Sequence, residues 1–191
     1  GKKDDKEARI INRVVRCRQG GISFEADPRH YEKLVAELGL EGGKAVSVPC
    51  AKHPVEEVNR DQELAPAKVS HFRGLAARAN YLSADRPDCQ FSAEEVCRFM
   101  SQPTELGVQD MKRLARYLIA KPRLLYNYDW QDDGKLEVYS DTDWAGCIRT
   151  RNSTTGGSAK LGNHLIKSWS TPQPSISLSS GEAEMIGVTT A

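Results

Sequence analysis

The chain has 191 residues, 39% of them hydrophobic and 28% charged, with a formal net charge of +1. That balance describes a folded chain of one large or two small domains, and excludes a disordered tail and a uniformly basic nucleic-acid glove. No apolar run reaches the roughly 20 residues of a bilayer-crossing helix, so a transmembrane-helix reading fails as well.

The chain opens Gly1-Lys2-Lys3-Asp4-Asp5-Lys6, a charged stretch expected to fray, and a start at Gly rather than Met suggests a piece of something longer. Ile10 to Cys17 reads as a strand, Gly20-Gly21 as a turn and Ile22-Ser23-Phe24 as the returning strand. Asp27-Pro28 supplies an N-cap with Pro at the first helical position. Tyr31, Leu34, Val35 and Leu38 then recur at helical spacing, with Gly39 as the stop. Residues 41–66 hold Gly42-Gly43, Pro49, Pro54 and Pro66 and read as a linker wrapped over a surface. Three helices follow: Val69 to Leu82, then one through Glu94, Val96, Phe99 and Met100, then Val108 to Ala120 before Pro122. Their short connections favour an antiparallel cluster.

After Pro122 the pattern changes. Leu124 to Tyr128 and Leu136 to Ser140 read as strands joined by a hairpin turn at Asp132-Asp133-Gly134. Gly157 to Leu161 and His164 to Trp169 pair across Gly162-Asn163. Ser179-Ser180-Gly181-Glu182 is a capping box for a closing helix, which the chain leaves at Ala191.

The acidic residues of this last third carry the chemistry. Asp141 and Asp143 are two apart on a strand and share one of its faces. Glu184 sits in the first turns of the closing helix, and Glu182 is its capping partner. One strand carboxylate and one helix carboxylate suit Mg²⁺, a hard cation that takes oxygen ligands and keeps waters. The ordinary alternative is a set of solvated carboxylates at element ends. Lys112, Arg113, Arg116, Lys121 and Arg123 form a basic run with no acid among them. It suits phosphate tracking along a nucleic acid, or simply a solvated helix face.

The motifs resemble one family. Val138-Tyr139-Ser140-Asp141-Thr142-Asp143-Trp144-Ala145-Gly146-Cys147 resembles the opening strand of the ribonuclease H domain of copia-type long-terminal-repeat retrotransposons. Ser153-Thr154-Thr155-Gly156-Gly157, Leu165-Ile166-Lys167-Ser168-Trp169-Ser170 and Leu178-Ser179-Ser180-Gly181-Glu182-Ala183-Glu184 resemble its next segments in order. Glu25-Ala26-Asp27-Pro28-Arg29-His30 resembles the segment after the polymerase palm, and Phe72 to Leu82, Asp85 to Phe91, Cys97 to Pro103 and Leu114 to Leu118 its thumb and connection helices.

The resemblance implies an α+β chain. A hairpin and helical thumb/connection-like region would span 1–123 and an incomplete ribonuclease H-like α/β domain 124–191. It implies that Asp141 and Glu184 are the first two catalytic, metal-holding carboxylates, with Asp143 in a supporting position. The family's further Asp residues and its polymerase Asp pair are not in this sequence. Mg²⁺ would be the cofactor of the intact parent, whose work is copying RNA into DNA and cleaving RNA in RNA–DNA hybrids. Its partners would be that hybrid and the rest of the Pol polyprotein, with no membrane involved. The fragment itself is expected to be inactive. The alternatives are a decayed or co-opted remnant that binds nucleic acid without catalysis, and a plain interaction module.

Other constellations are weaker. Cys50 and His53 have a zinc-like spacing but no second pair. No nucleophile-elbow glycine pattern surrounds a Ser to support a hydrolase triad. The five cysteines (Cys17, Cys50, Cys89, Cys97 and Cys147) are irregularly spaced and follow no apolar leader. They read as reduced thiols of an intracellular protein, cytoplasmic or nuclear. Tyr117, Trp130, Trp144 and Trp169 read as packing residues.

Overall fold

The computed structural model describes residues 7–11, 13–132 and 134–190. The charged opening stretch 1–6, Asp133 of the expected turn and the terminal Ala191 lie outside the described residues.

Two antiparallel sheets flank a helical cluster. The first sheet has the order β1 (Glu7–Ile10), β2 (Arg13–Arg18), β3 (Gly21–Ala26), β4 (Tyr126–Asp129). Its central hairpin, β2 with β3, is the one the β-branched run and Gly20-Gly21 predict. Asp27 caps α1 (Arg29–Glu37) by accepting a 3.0 Å bond from the Arg29 N–H, and Gly39 ends the run at φ +64°. The 41–66 segment runs as a pinned strap, but it is not free of elements as the lack of periodicity predicts: it holds one short helix, α2 (Val55–Asn59). Val46 N–H donates to the Arg116 carbonyl, Ser92 Oγ to that of Pro49, and Leu64 N–H to that of Pro103.

The helical core is α3 (Pro66–Ser83), α4 (Gln90–Cys97) and α5 (Glu105–Ala120). Phe72, Leu75, Ala76 and Ala79 of α3 meet Val96 of α4 and Met111, Leu114 and Leu118 of α5, all buried, with Leu34 of α1. Each large side chain so buried contributes roughly 1.5–3 kcal/mol. α4 stops at Cys97, so Phe99 and Met100 lie in the following turn rather than in the helix. Arg86 is buried and closes the end of α5: its guanidinium donates to Asp88 and to the Lys121 carbonyl at 2.7 Å. Such a cation satisfies carbonyls that a helix end leaves open. Tyr117 packs in this cluster and donates to Asp88.

The expected hairpin across 132–134 does not form. β4 instead extends the first sheet beside β3, where Phe24 stacks on Tyr126 with centroids 4.6 Å apart and Trp130 N–H donates to the Gly20 carbonyl. Aromatic cross-strand pairing decides the neighbour. The second sheet is β5 (Leu136–Asp143), β6 (Thr154–Leu161), β7 (His164–Pro172), turning at Gly162 with φ +57°. α6 (Ser180–Thr189) follows, with Ser179 Oγ accepting from Glu182 N–H. Glu182 reaches back one residue further than a standard box, to the N–H of Leu178. Ala183 and Gly187 seat α6 on β5 and β6; a Cβ at Gly187 would lie 2.5 Å from Thr142 Oγ1.

A polar seam joins α4 to the second sheet. Glu94 accepts from Ser170 Oγ, Arg98 donates to Thr154 Oγ1, and Gln90 donates to the Ser168 carbonyl. Among the described residues no helix is long and apolar enough to cross a membrane.

Candidate functional site

Asp141 and Asp143 end β5 with both side chains exposed, and both line one cleft of about 550 Å³ with Gln90, Phe91 and Trp169. The spacing of two does place them on one side of the strand. Thr142 between them turns to α6, where it meets Gly187. Glu184 is half-buried on α6, next to the fully buried Ala183. No hydrogen bond or ion pair engages any of the three carboxylates among the described residues.

Their donor chemistry suits a hard cation. Among the described residues, however, no group of three or more His, Cys, Asp or Glu side chains stands together in a way that would hold a metal. These residues alone do not compose a Mg²⁺ centre.

A buried amide fixes the acidic region. Gln173 donates to Thr155 Oγ1 at 3.0 Å and to the Ala183 carbonyl at 2.9 Å, and accepts from Ser177 Oγ. Its backbone N–H bonds the Ser153 carbonyl and its own carbonyl accepts from Asn152. One residue thereby ties β6, the turn after β7 and the first turn of α6. A polar residue between Pro172 and Pro174 gave no periodic signal of this role.

The basic run separates into different roles. Lys112 and Arg116, one helical turn apart on α5, are exposed and unpaired among the described residues, as is Lys121 after it. Arg113 is half-buried, with its Nε shielded and unpartnered. Arg123 holds Glu25 through two 2.7 Å bonds. That guanidinium, with Arg16 beside it, keeps the buried Glu25 carboxyl below its usual range. Arg123 is therefore a clamp between β3 and the segment after α5.

His53 is no partner of Cys50. Its Nε2 meets Asp110 at 2.8 Å and its Nδ1 meets Glu57 at 3.2 Å, the latter an i,i+4 relation visible in the sequence. All five thiols are unbridged. Trp130 is 71% exposed and not part of a packed hairpin, whereas Trp144 is anchored through Nε1 to the Ser177 carbonyl.

Similar proteins support the family assignment. The chain is 33% identical over 164 residues to an uncharacterized mitochondrial protein of Arabidopsis thaliana, covering 84% of this chain and 66% of that one. It is 32% identical over 156 residues to the retrovirus-related Pol polyprotein from transposon RE1 of Arabidopsis thaliana, 82% of this chain and 10% of the polyprotein. It is 27% identical over 187 residues to the corresponding polyprotein from transposon TNT 1-94 of Nicotiana tabacum, 93% of this chain and 14% of that one. The chain belongs to the family of retrovirus-related Pol polyproteins from copia-type transposons. It spans about two thirds of the mitochondrial relative and a tenth to a seventh of the two polyproteins. No protein-family model and no solved structure matches it.

Proposed function

We propose that the chain is the stretch of a copia-type Pol polyprotein that runs from the end of the reverse transcriptase into ribonuclease H. The intact parent would synthesise DNA on an RNA template and hydrolyse RNA in the resulting hybrid. What supports this reading is the similarity of 82% and 93% of the chain to two copia-type Pol polyproteins, with Asp141 on the strand and Glu184 on the helix of that region; Asp141 faces the cleft with Gln90 and Trp169, and the structure does not gather the two into one group. In the parent they would supply two carboxylates to Mg²⁺, and the remaining ligands would come from the nucleic acid or another segment. By itself the chain would bind hybrid through Lys112, Arg116 and Lys121 and leave it uncut.

A second reading is a non-catalytic remnant that binds nucleic acid, supported by Lys112, Arg116 and Lys121, which are exposed and unpaired among the described residues. Hybrid binding measured by anisotropy over a range of salt tests the part the two readings share. Lys112→Ala with Arg116→Ala should weaken binding and lower the salt slope by about 2. A slope unmoved by both substitutions would remove the basic helix from the interface.

A further inference from the structure

A cavity of about 450 Å³ lies between the 50–58 strap, α4, the start of α5 and the turn after β5, within the size range of small-ligand sites. Two of its walls are aromatic and open to solvent, Phe91 at 40% and Trp144 at 47% exposure. The Trp144 ring is held rigid by its Nε1 bond to Ser177, so a planar partner would stack without ordering it first. Three carboxylates line the space: Glu95, Asp110 and Asp143. Glu95 is paired with Arg98 at 2.9 Å and Asp110 with His53 at 2.8 Å. Asp143 has no partner among the described residues. Lys52, on the strap, also lines the cavity and is unpaired among the described residues.

We propose that this cavity binds a guanine base, stacked on Phe91 and Trp144, with Asp143 accepting both hydrogens of its donor edge and Lys52 facing its phosphate. Aromatic side chains bind any base through its face. A lone carboxylate is acceptor-only and takes two parallel N–H bonds best. Guanine presents two adjacent donors, N1–H and N2–H, on one edge, whereas adenine and cytosine interleave donors with acceptors. The base could belong to a free nucleotide or to an unstacked position in a strand. This extends the nucleic-acid reading above, and its test is separable from it.

Calorimetric titration of the whole chain with GMP, AMP and CMP, then with short single-stranded oligo-G and oligo-A, measures the site directly. GMP should bind and AMP and CMP should bind about 10-fold or more weakly, from the lost charged hydrogen bonds. Asp143→Asn should weaken GMP by about 10- to 100-fold and leave AMP unmoved. Phe91→Ala should weaken every nucleotide. Tighter oligo-G than GMP assigns the site to a strand, and the reverse order to a free nucleotide. Equal affinities for the three mononucleotides, or GMP binding insensitive to both substitutions, would overturn the site. So would absence of GMP binding while the hybrid still binds through Lys112 and Arg116, which would leave the nucleic-acid reading intact.

Discussion

Ser170 of β7 donates a 2.8 Å hydrogen bond to Glu94 of α4, whose other carboxylate oxygen receives Arg98 Nε at 3.0 Å. The carboxylate is nearly buried, and Arg98 continues across the seam to Thr154. Glu94 thereby couples the helical cluster to the sheet that carries Asp141. Glu94→Ala should cost about 2–4 kcal/mol, because it takes the main carboxylate partner from a half-buried guanidinium that also reaches Glu95 and Thr154. Denaturant unfolding followed by fluorescence checks it, and a change within about 0.5 kcal/mol would place the seam among ordinary surface contacts.

Asp27 caps α1 while Arg29 and Arg9 surround its carboxylate. Arg29 above all, against the opposing pull of burial, holds that carboxyl down to about 2 from 3.8. The stability it contributes is complete above the unfolded value and is lost as pH falls from 3.8 toward about 2. Asp27→Ala should lower stability by about 1–2 kcal/mol at neutral pH and flatten that acid limb. Acid titration of the melting temperature for both proteins is the measurement.

His53 titrates in the opposite sense. Burial works against its charged form, but Asp110 and Glu57, one on each ring nitrogen, outweigh it and raise the pKa above 6.5. Stability from this imidazolium is full below 6.5 and disappears as pH rises through the raised folded value. Amide exchange in the 50–58 strap, corrected for its intrinsic pH dependence, should lose protection through that window. His53→Gln should remove the transition.

Gln173 makes five polar contacts from one buried position, three through its amide side chain. Gln173→Leu should cost about 1–3 kcal/mol, since it takes the amide partner from the buried Thr155 and Ser177 hydroxyls. The loss should appear first as faster amide exchange in the opening turn of α6, with β5 and β6 following only at higher denaturant.

Local rules read most elements. Apolar recurrence marks Leu34 and Val35 on α1 and Phe72, Leu75 and Ala79 on α3. Asp27 and Ser179 mark helix starts by cap chemistry, and Gly162-Asn163 marks a hairpin by its turn chemistry. Strand alternation identifies β4 but carries no information about its neighbour. Asp132-Asp133-Gly134 therefore suggests β5, whereas β4 pairs with β3, where Phe24, about a hundred residues earlier, stacks on Tyr126. The candidate site shows the same limit. Spacing puts Asp141 and Asp143 on one side of a strand, but Arg123 is tied to Glu25, 98 residues away, and no pattern in the basic run betrays that. Arg86 and Gln173 are buried because distant carbonyls receive them, so composition alone marks them as surface residues.

The proposed catalytic role is tested most directly by cleavage of a labelled RNA–DNA hybrid by a Pol polypeptide that carries this sequence, assayed with and without Mg²⁺. Cutting of the RNA strand should depend on Mg²⁺ and be abolished by Asp141→Asn and by Glu184→Gln, with hybrid binding retained through Lys112 and Arg116. Cleavage that persists in Asp141→Asn would contradict the assignment of the acidic strand and helix as the catalytic pair.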